Sequence, residues 1–504
     1  MNIKRAKEEI KNTIEAYLLK DAHGSYEIPS LRQRPIFLMG PPGVGKTQIM
    51  EQVARECKVG LVAYTITHHT RQSAVGLPFI TDKKFGDEEY RVTEYTMSEI
   101  VASVYDKMEK TGLKEGILFI DEINCVSETL APTMLQFLQY KTFGNHRIPE
   151  GWVIVTAGNP PEFNKSVRDF DVVTLDRLKL VHVEADFGVW KAYAYDNNLH
   201  SAVISYLNTR PENFFRIEST VDGKFFATPR GWEDLSRFIQ IYEHLQKKID
   251  RDVVQQYIQF PKISKDFANY LELYYKYQDD YQIDEILAGT IRESLCNRLK
   301  RAPFDEKLNV IGLLLSRLSQ HFRGVADQAD KTAMLMEQLK QLNPETGNQK
   351  ESSMVKALSD LRKEWKESSD KKRKAGLMNR REDYLCRDVE TLLAFYEETL
   401  KKEGDSDGET SWQRIRQLFS EESKSYETLL LEGGKALEYA FDFMEAAFMA
   451  GQEMVVFVTE LNTGYYSVKF LEEYECERYY QYNETLLFKE REDDLRNRID
   501  SLGK

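Results

Sequence analysis

Cysteine is scarce in this chain: five in 504 residues (Cys57, Cys125, Cys296, Cys386 and Cys476), with no CxxC pair. That scarcity argues against a disulfide framework and offers no zinc-ligand spacing; a reduced, cytoplasmic setting is expected. Long apolar runs are also missing. None approaches the roughly 20 residues that span a bilayer. The N-terminal stretch MNIKRAKEEIKNTIEAYL mixes both charge signs and has no apolar signal segment, so secretion is not expected. Positive charge is in the minority, with 69 Lys and Arg against 82 Asp and Glu, a net charge of −13. An acidic chain repels nucleic acid unless its basic residues are concentrated locally. Most of the excess lies late: residues 345–504 carry 35 acidic and 25 basic side chains, a net of −10, which leaves −3 for the first 344.

Proline disappears partway along. All 14 prolines stand at or before Pro344. Proline breaks helix interiors, so the proline-free, charge-rich remainder reads as helical. With 41% hydrophobic residues the chain has material for packed cores, and its length suggests roughly two to four domains. The first half has a different grammar. Short β-rich runs (PIFLM, VGLVAYTI, GILFI, WVIVTA, LKLVHVE) alternate with helical patterns. That alternation implies a parallel sheet covered by helices on both faces. The expected division is an α/β core over residues 1–184, a helical segment over 185–300, and a mostly helical region over 301–504. Linkers rich in Gly, Ser and acidic residues are expected near 343–353 and 402–410.

The sharpest local signal is Gly40-Pro41-Pro42-Gly43-Val44-Gly45-Lys46-Thr47. An apolar run over 35–39 precedes it and a helix-forming stretch over 46–57 follows. Glycines let such a loop curl with its N–H groups pointing inward at phosphate oxygens, and the helix N-terminus adds its positive dipole end. Lys46 is placed to reach the β- and γ-phosphates, and the Thr47 hydroxyl to bind Mg²⁺. A second signal is Ile117-Leu118-Phe119-Ile120-Asp121-Glu122, an apolar strand that ends in two carboxylates. Beside a phosphate loop, the first carboxylate holds the metal. Glu122 is then the base that polarises the attacking water. A third is Thr156-Ala157-Gly158-Asn159-Pro160, which puts the Asn159 amide at a strand end, where open α/β sheets bind ligands. Arg177 stands just before the strand expected over 179–184, and Arg230 opens a helix at Thr228-Pro229-Arg230-Gly231-Trp232. Arginine near a transferring phosphate stabilises transition-state charge, in cis or from a neighbour; the common alternative is a surface ion pair.

In this order the motifs resemble the AAA+ ATPases over roughly residues 30–245. Four features are similar to the MoxR branch: Asp121-Glu122-Ile123-Asn124 with a helix expected over 127–140, AGNPPEFN over 157–164, Leu175-Asp176-Arg177-Leu178, and the Thr228–Trp232 turn. The resemblance implies ATP and Mg²⁺ as ligands. Residues 40–47 would be Walker A, Asp121 and Glu122 Walker B, Asn159 sensor 1 and Arg230 sensor 2. Arg177 would be an arginine finger reaching a neighbouring subunit, with Arg168 as a competing candidate. It also implies a ring, most often a hexamer, and pore-directed hairpins at 76–96 and 141–150. The remaining implications are a protein client and a separate von Willebrand factor A-domain partner. Two readings of other classes stand beside it: a nucleotide-controlled assembly scaffold with little turnover, and a nucleic-acid translocase.

Three further patterns carry blander expectations. Phe267, Tyr270, Tyr274, Tyr277 and Tyr281 share one helix face, which reads as buried packing. Lys371-Lys372-Arg373-Lys374 with Arg380 and Arg381 reads as a solvated helix end. The acidic, aromatic-rich stretch over 431–487 reads as helices packed on the chain's own core, with partner docking as the alternative. His68 and His69 are adjacent, so they point apart and are read as structural.

Overall fold

The computed structural model describes residues 1–68, 74–163, 167, 170–220, 223–343, 353–404 and 408–486. Arg168, His69, Asn164, residues 344–352 and residues 405–407 lie outside them. The chain divides into two units, Met1–Val189 with Lys366–Asp383, and Trp190–Trp365 with Tyr384–Lys504.

The first unit is built on a five-stranded sheet. Its strands are β1 (Ile36–Met39), β2 (Gly60–Thr65), β5 (Gly116–Asp121), β8 (Trp152–Gly158) and β9 (Lys179–His182), in the order β2-β5-β8-β1-β9. Every pairing is parallel. A parallel sheet is covered on both faces, so its central strands read as unbroken apolar runs, and β8 is buried along its whole length. The period of two sorts successive side chains to opposite faces. Ile117 and Phe119 pack with the helices Ile3–Leu18 and Lys46–Glu56, while Leu118 and Ile120 pack with the helices Glu99–Thr111 and Ala131–Tyr140. Each such buried side chain contributes roughly 1.5–3 kcal/mol, which makes the sheet a firm platform for whatever sits at its ends.

Register decides what sits there. Met39 pairs with Gly158, Ile120 with Thr156, and Thr65 with Asp121. The Gly40 loop, the Asp121-Glu122 turn and the Asn159 loop therefore leave neighbouring strands at the same C-terminal edge. Boundaries differ slightly from the sequence expectation. The helix expected over 127–140 starts at Ala131, because Ser127 first closes a turn in which its carbonyl accepts from Leu130 and Ala131.

Two antiparallel hairpins interrupt the α/β alternation at the expected places. β3 (Pro78–Phe85) and β4 (Glu88–Tyr95) form the longer one, and β6 (Thr142–Phe143) and β7 (His146–Arg147) the shorter. The longer hairpin is exposed on both faces and displays Phe79, Ile80, Phe85 and Tyr90 to solvent. A two-stranded ribbon in water gains little stability by itself.

Lys141, at the base of the shorter hairpin, is buried, and its Nζ donates to Gln33 Oε1 at 3.1 Å. Burial, with a smaller push from the Arg147 cation, lowers its ammonium to about 8. Its unfolded value is about 10.4. Between those values the folded chain binds fewer protons than the unfolded one, so stability rises with pH across that window. Lys141→Met should remove this rise. The Gln33 carbonyl that it leaves unpaired costs the same at every pH. We expect the unfolding free energy of the parent to gain on that of Lys141→Met by on the order of 2 kcal/mol between pH 7.5 and 10.5. Denaturant titrations at several pH values measure this, and a pH-independent difference would contradict the buried-ammonium account.

The second unit is mainly helical. β10 (Arg216–Thr220) and β11 (Gly223–Ala227) pair as a hairpin, and the helix Pro229–His244 follows, capped by Thr228. In the helix Pro261–Tyr281, Phe267, Tyr270, Tyr274 and Tyr281 are buried, so that aromatic stripe is core. Tyr206 meets Phe267, Tyr270 and Trp232 with ring centroids 5.1–5.6 Å apart. The long helices Phe304–Leu339 and Gly408–Phe448 follow. Phe441, Phe443, Phe457 and Phe470 are buried, so much of the acidic, aromatic-rich stretch packs inward. The basic cluster belongs to the Lys366–Asp383 part of the first unit, at the end of the helix Met354–Ala375, with Lys371, Lys372, Arg373 and Lys374 exposed. Arg373 pairs there with Asp370 and Asp383.

Candidate active site

The loop after β1 curls as its glycines permit. Gly43 and Gly45 take φ of 79° and 92°, a region that side chains disfavour. Gly45 is the residue from which the helix Lys46–Glu56 starts. Lys46, the first residue of that helix, is buried and folds back over the loop. Its Nζ donates to the Gly40 carbonyl (2.7 Å), the Pro41 carbonyl (2.8 Å) and Asn159 Oδ1 (3.0 Å). Its own loop and the end of β8 thus meet at one ammonium group.

The acidic turn lies alongside. Thr47 Oγ1 donates to Asp121 Oδ2 at 3.0 Å, and the Glu122 main-chain N–H donates to Asp121 Oδ1 at 2.9 Å. Glu122 itself adopts a left-handed conformation with φ of 56°. A non-glycine residue held there stores a small strain, of the kind that concentrates at functional sites. Cys125, next on this turn, has its thiol pushed up by burial and then by the Glu122 and Asp121 carboxylates, so it is no thiolate nucleophile at neutral pH.

The donor set suits magnesium. A hydroxyl and a carboxylate oxygen 3.0 Å apart are hard ligands, and Mg²⁺ is usually held by one or two carboxylates together with substrate phosphates. Among the described residues no group of three or more His, Cys, Asp or Glu could hold a metal without that help.

The structure therefore brings Lys46, Thr47, Asp121, Glu122 and Asn159 together. Arg177 it places elsewhere. β9 pairs Lys179 with Ile36 and His182 with Met39. Arg177 thus precedes the edge of the sheet opposite the Gly40 loop, separated from it by roughly 13 Å of strand or more. It is exposed, and its Nη1 donates to Gln139 Oε1 at 2.7 Å. Arg230 is exposed in the first turn of the helix Pro229–His244, in the second unit. Sequence reasoning missed two contacts. Asn124, noted only as part of the resemblance, donates from Nδ2 to the Asn159 carbonyl at 2.8 Å. Gln139 had no sequence signal at all, since a Gln on a helix reads as solvated.

No protein of curated function matches the chain. Among solved structures, a protein of Cytophaga hutchinsonii ATCC 33406 described as a "putative ATPase" is similar at 15% identity, with a TM-score of 0.22, over 36% of this chain and 51% of that one. The chain spans about half the length of that protein. Among the described residues no helix is long and apolar enough to cross a membrane. Residues 35–178 match the AAA domain family of the dynein-related subfamily. That span opens just before β1 and closes just before β9, and it holds the loop, both carboxylates and Asn159. The parallel sheet, the phosphate loop at its C-terminal edge and this match together make residues 35–178 an AAA ATPase domain on a P-loop fold.

Proposed function

We propose that the chain is a MoxR-type remodelling ATPase that hydrolyses Mg²⁺-ATP and applies the resulting motion to a protein client. It works as a ring, most simply a hexamer, in the cytoplasm and beside a separate von Willebrand factor A-domain protein. Residues 40–47 cradle the phosphates with their main-chain N–H groups. Lys46 exchanges its carbonyl partners for phosphate oxygens, which are stronger acceptors because they are charged. Thr47 and Asp121 hold Mg²⁺, which neutralises charge on the phosphate oxygens when bound. Glu122 takes a proton from the attacking water, and Asn159 orients that water or the γ-phosphate. Arg177 serves the site of the neighbouring subunit, and Arg230 acts as a sensor from the helical segment over 185–300. The region over 301–504 is proposed to dock the partner or the client.

The observation that carries the remodelling reading is the β3–β4 hairpin, which leaves Phe79, Ile80, Phe85 and Tyr90 in water. Apolar side chains grouped on an exposed ribbon mark a surface that binds protein. ATP hydrolysis by the parent chain, measured with Mg²⁺, should rise when a permanently unfolded polypeptide is added. The rise should vanish in Phe79→Ser/Phe85→Ser. Duplex or single-stranded DNA should leave the rate unchanged, as the net charge of −13 leads one to expect. Stimulation by DNA that falls with salt would replace this reading with a translocase. Nucleotide binding without multiple turnovers would replace it with a scaffold.

A further inference from the structure

Asn124 stands two residues past Glu122, inside the short 3-10 turn Ile123–Cys125. Its side chain is 1% exposed. Its Nδ2 donates to the Asn159 carbonyl at 2.8 Å, while its Oδ1 has no hydrogen-bond partner among the described residues. Leaving half of a buried amide unpaired is unfavourable, and an apolar side chain of similar volume would remove that cost. The unpaired oxygen also faces the last residue of β8. A Cβ built on Gly158 would lie 2.4 Å from Asn124 Oδ1, so the bare glycine and the asparagine are fitted to each other. A residue placed only to stabilise the fold would be a poor solution here.

Asn159 is attached twice, by different atoms. Its carbonyl is gripped by Asn124, and its Oδ1 accepts from Lys46 at 3.0 Å. A phosphate competes for the Lys46 ammonium but has no claim on the Asn124 amide. The second attachment therefore changes when a triphosphate is bound, and the first persists.

We propose that Asn124 is a positioning residue for ATP hydrolysis: it clamps the main chain of Asn159 to the Asp121-Glu122 turn, so the Asn159 side chain changes partner without its loop shifting relative to Glu122. The inference rests on the reading of this site as an ATPase, and it adds the device that keeps the water-orienting amide and the base in register. Misplacement of about an ångström at such a site costs up to roughly a hundredfold in rate.

The test uses Asn124→Leu, with Asn124→Ser as a second variant should the leucine form fail to fold. Four quantities are measured on the full chain: affinity for a fluorescent adenine nucleotide, single-turnover ATP hydrolysis, Tm, and hydrogen exchange at the amides of Asn159, Glu162 and Phe163 without nucleotide. We expect affinity within about threefold of the parent, hydrolysis slower by roughly ten- to a hundredfold, and Tm unchanged or higher. Exchange at the three amides should be faster by about tenfold. A hydrolysis rate within twofold of the parent, with unchanged exchange, would overturn the proposal. So would affinity, rate and Tm falling together, which is the signature of a structural role. If the parent itself hydrolyses no ATP, the ATPase reading fails, and the exchange measurement still decides whether Asn124 holds the Asn159 loop.

Discussion

Glu122→Gln should bind Mg²⁺-ATP as the parent does and lose turnover by roughly 10²–10⁴-fold. The substitution keeps the length and shape of the side chain. The Glu122 main-chain N–H still donates to Asp121 Oδ1, so the turn keeps its geometry and Thr47 keeps its bond to Asp121 Oδ2. Only the ability to take a proton is lost. On the proposed reading, uniform binding is made by the loop, by Lys46 and by the Thr47–Asp121 pair, none of which the substitution touches. Such a split, affinity intact and kcat gone, marks an interaction made only in the transition state. Equilibrium titration with a labelled nucleotide and multiple-turnover phosphate release measure the two halves. Hydrolysis at the parent rate would remove Glu122 from the role of base. Because this variant stalls with nucleotide in place, the protein that co-purifies with it in ATP is the best candidate for client or partner.

Arg177→Ala should slow hydrolysis by roughly 10³-fold while leaving nucleotide affinity near that of the parent, since arginine fingers act on transition-state charge. The fold makes a stronger prediction than the number. Arg177 precedes the sheet edge opposite its own phosphate loop, and β9 pairs in register with β1 from Ile36 to Met39, so neither end can slide toward the other. It therefore acts on another copy or not at all. Mixing Arg177→Ala with Lys46→Ala, two inactive forms, should recover activity, because one supplies an intact loop and the other an intact arginine. Failure of the mixture to exceed either form alone would assign Arg177 to the surface ion pairs. The Gln139 bond at 2.7 Å matters here as well. It holds an exposed guanidinium in place, and in the proposed ring that would reduce the conformational freedom lost on assembly.

Legibility in the sequence followed the range of the physics. The Gly40–Thr47 loop, the carboxylate pair and the strands were readable because each depends on consecutive residues. A phosphate cradle needs glycines and a lysine within one turn of chain, and a buried parallel strand needs an unbroken apolar run, as in Gly116–Asp121. Both hairpins were expected only through the family resemblance, and the structure has strands at both places. The aromatic stripe from Phe267 to Tyr281 was readable because a helix face repeats every three or four residues. Lys141 and the contacts of Asn124 and Arg177 were different. Lys141 read as an ordinary polar residue, and although Asn124 and Arg177 stood in motifs, nothing beside them in sequence gave their partners Asn159 and Gln139.

The sequence by itself determined which groups are at hand: a glycine-rich loop with Lys46, two adjacent carboxylates and a polar strand end, on a parallel α/β sheet. Tertiary structure alone decided their relations. Strand register, set by pairings between residues more than a hundred positions apart, brought Lys46 to Asn159 and sent Arg177 to the far edge. The same packing closed over Asn124 and left Lys141 with Gln33 in the interior. Local propensity has no term for such distances, because the partner that makes a polar side chain matter arrives only when the sheet has formed.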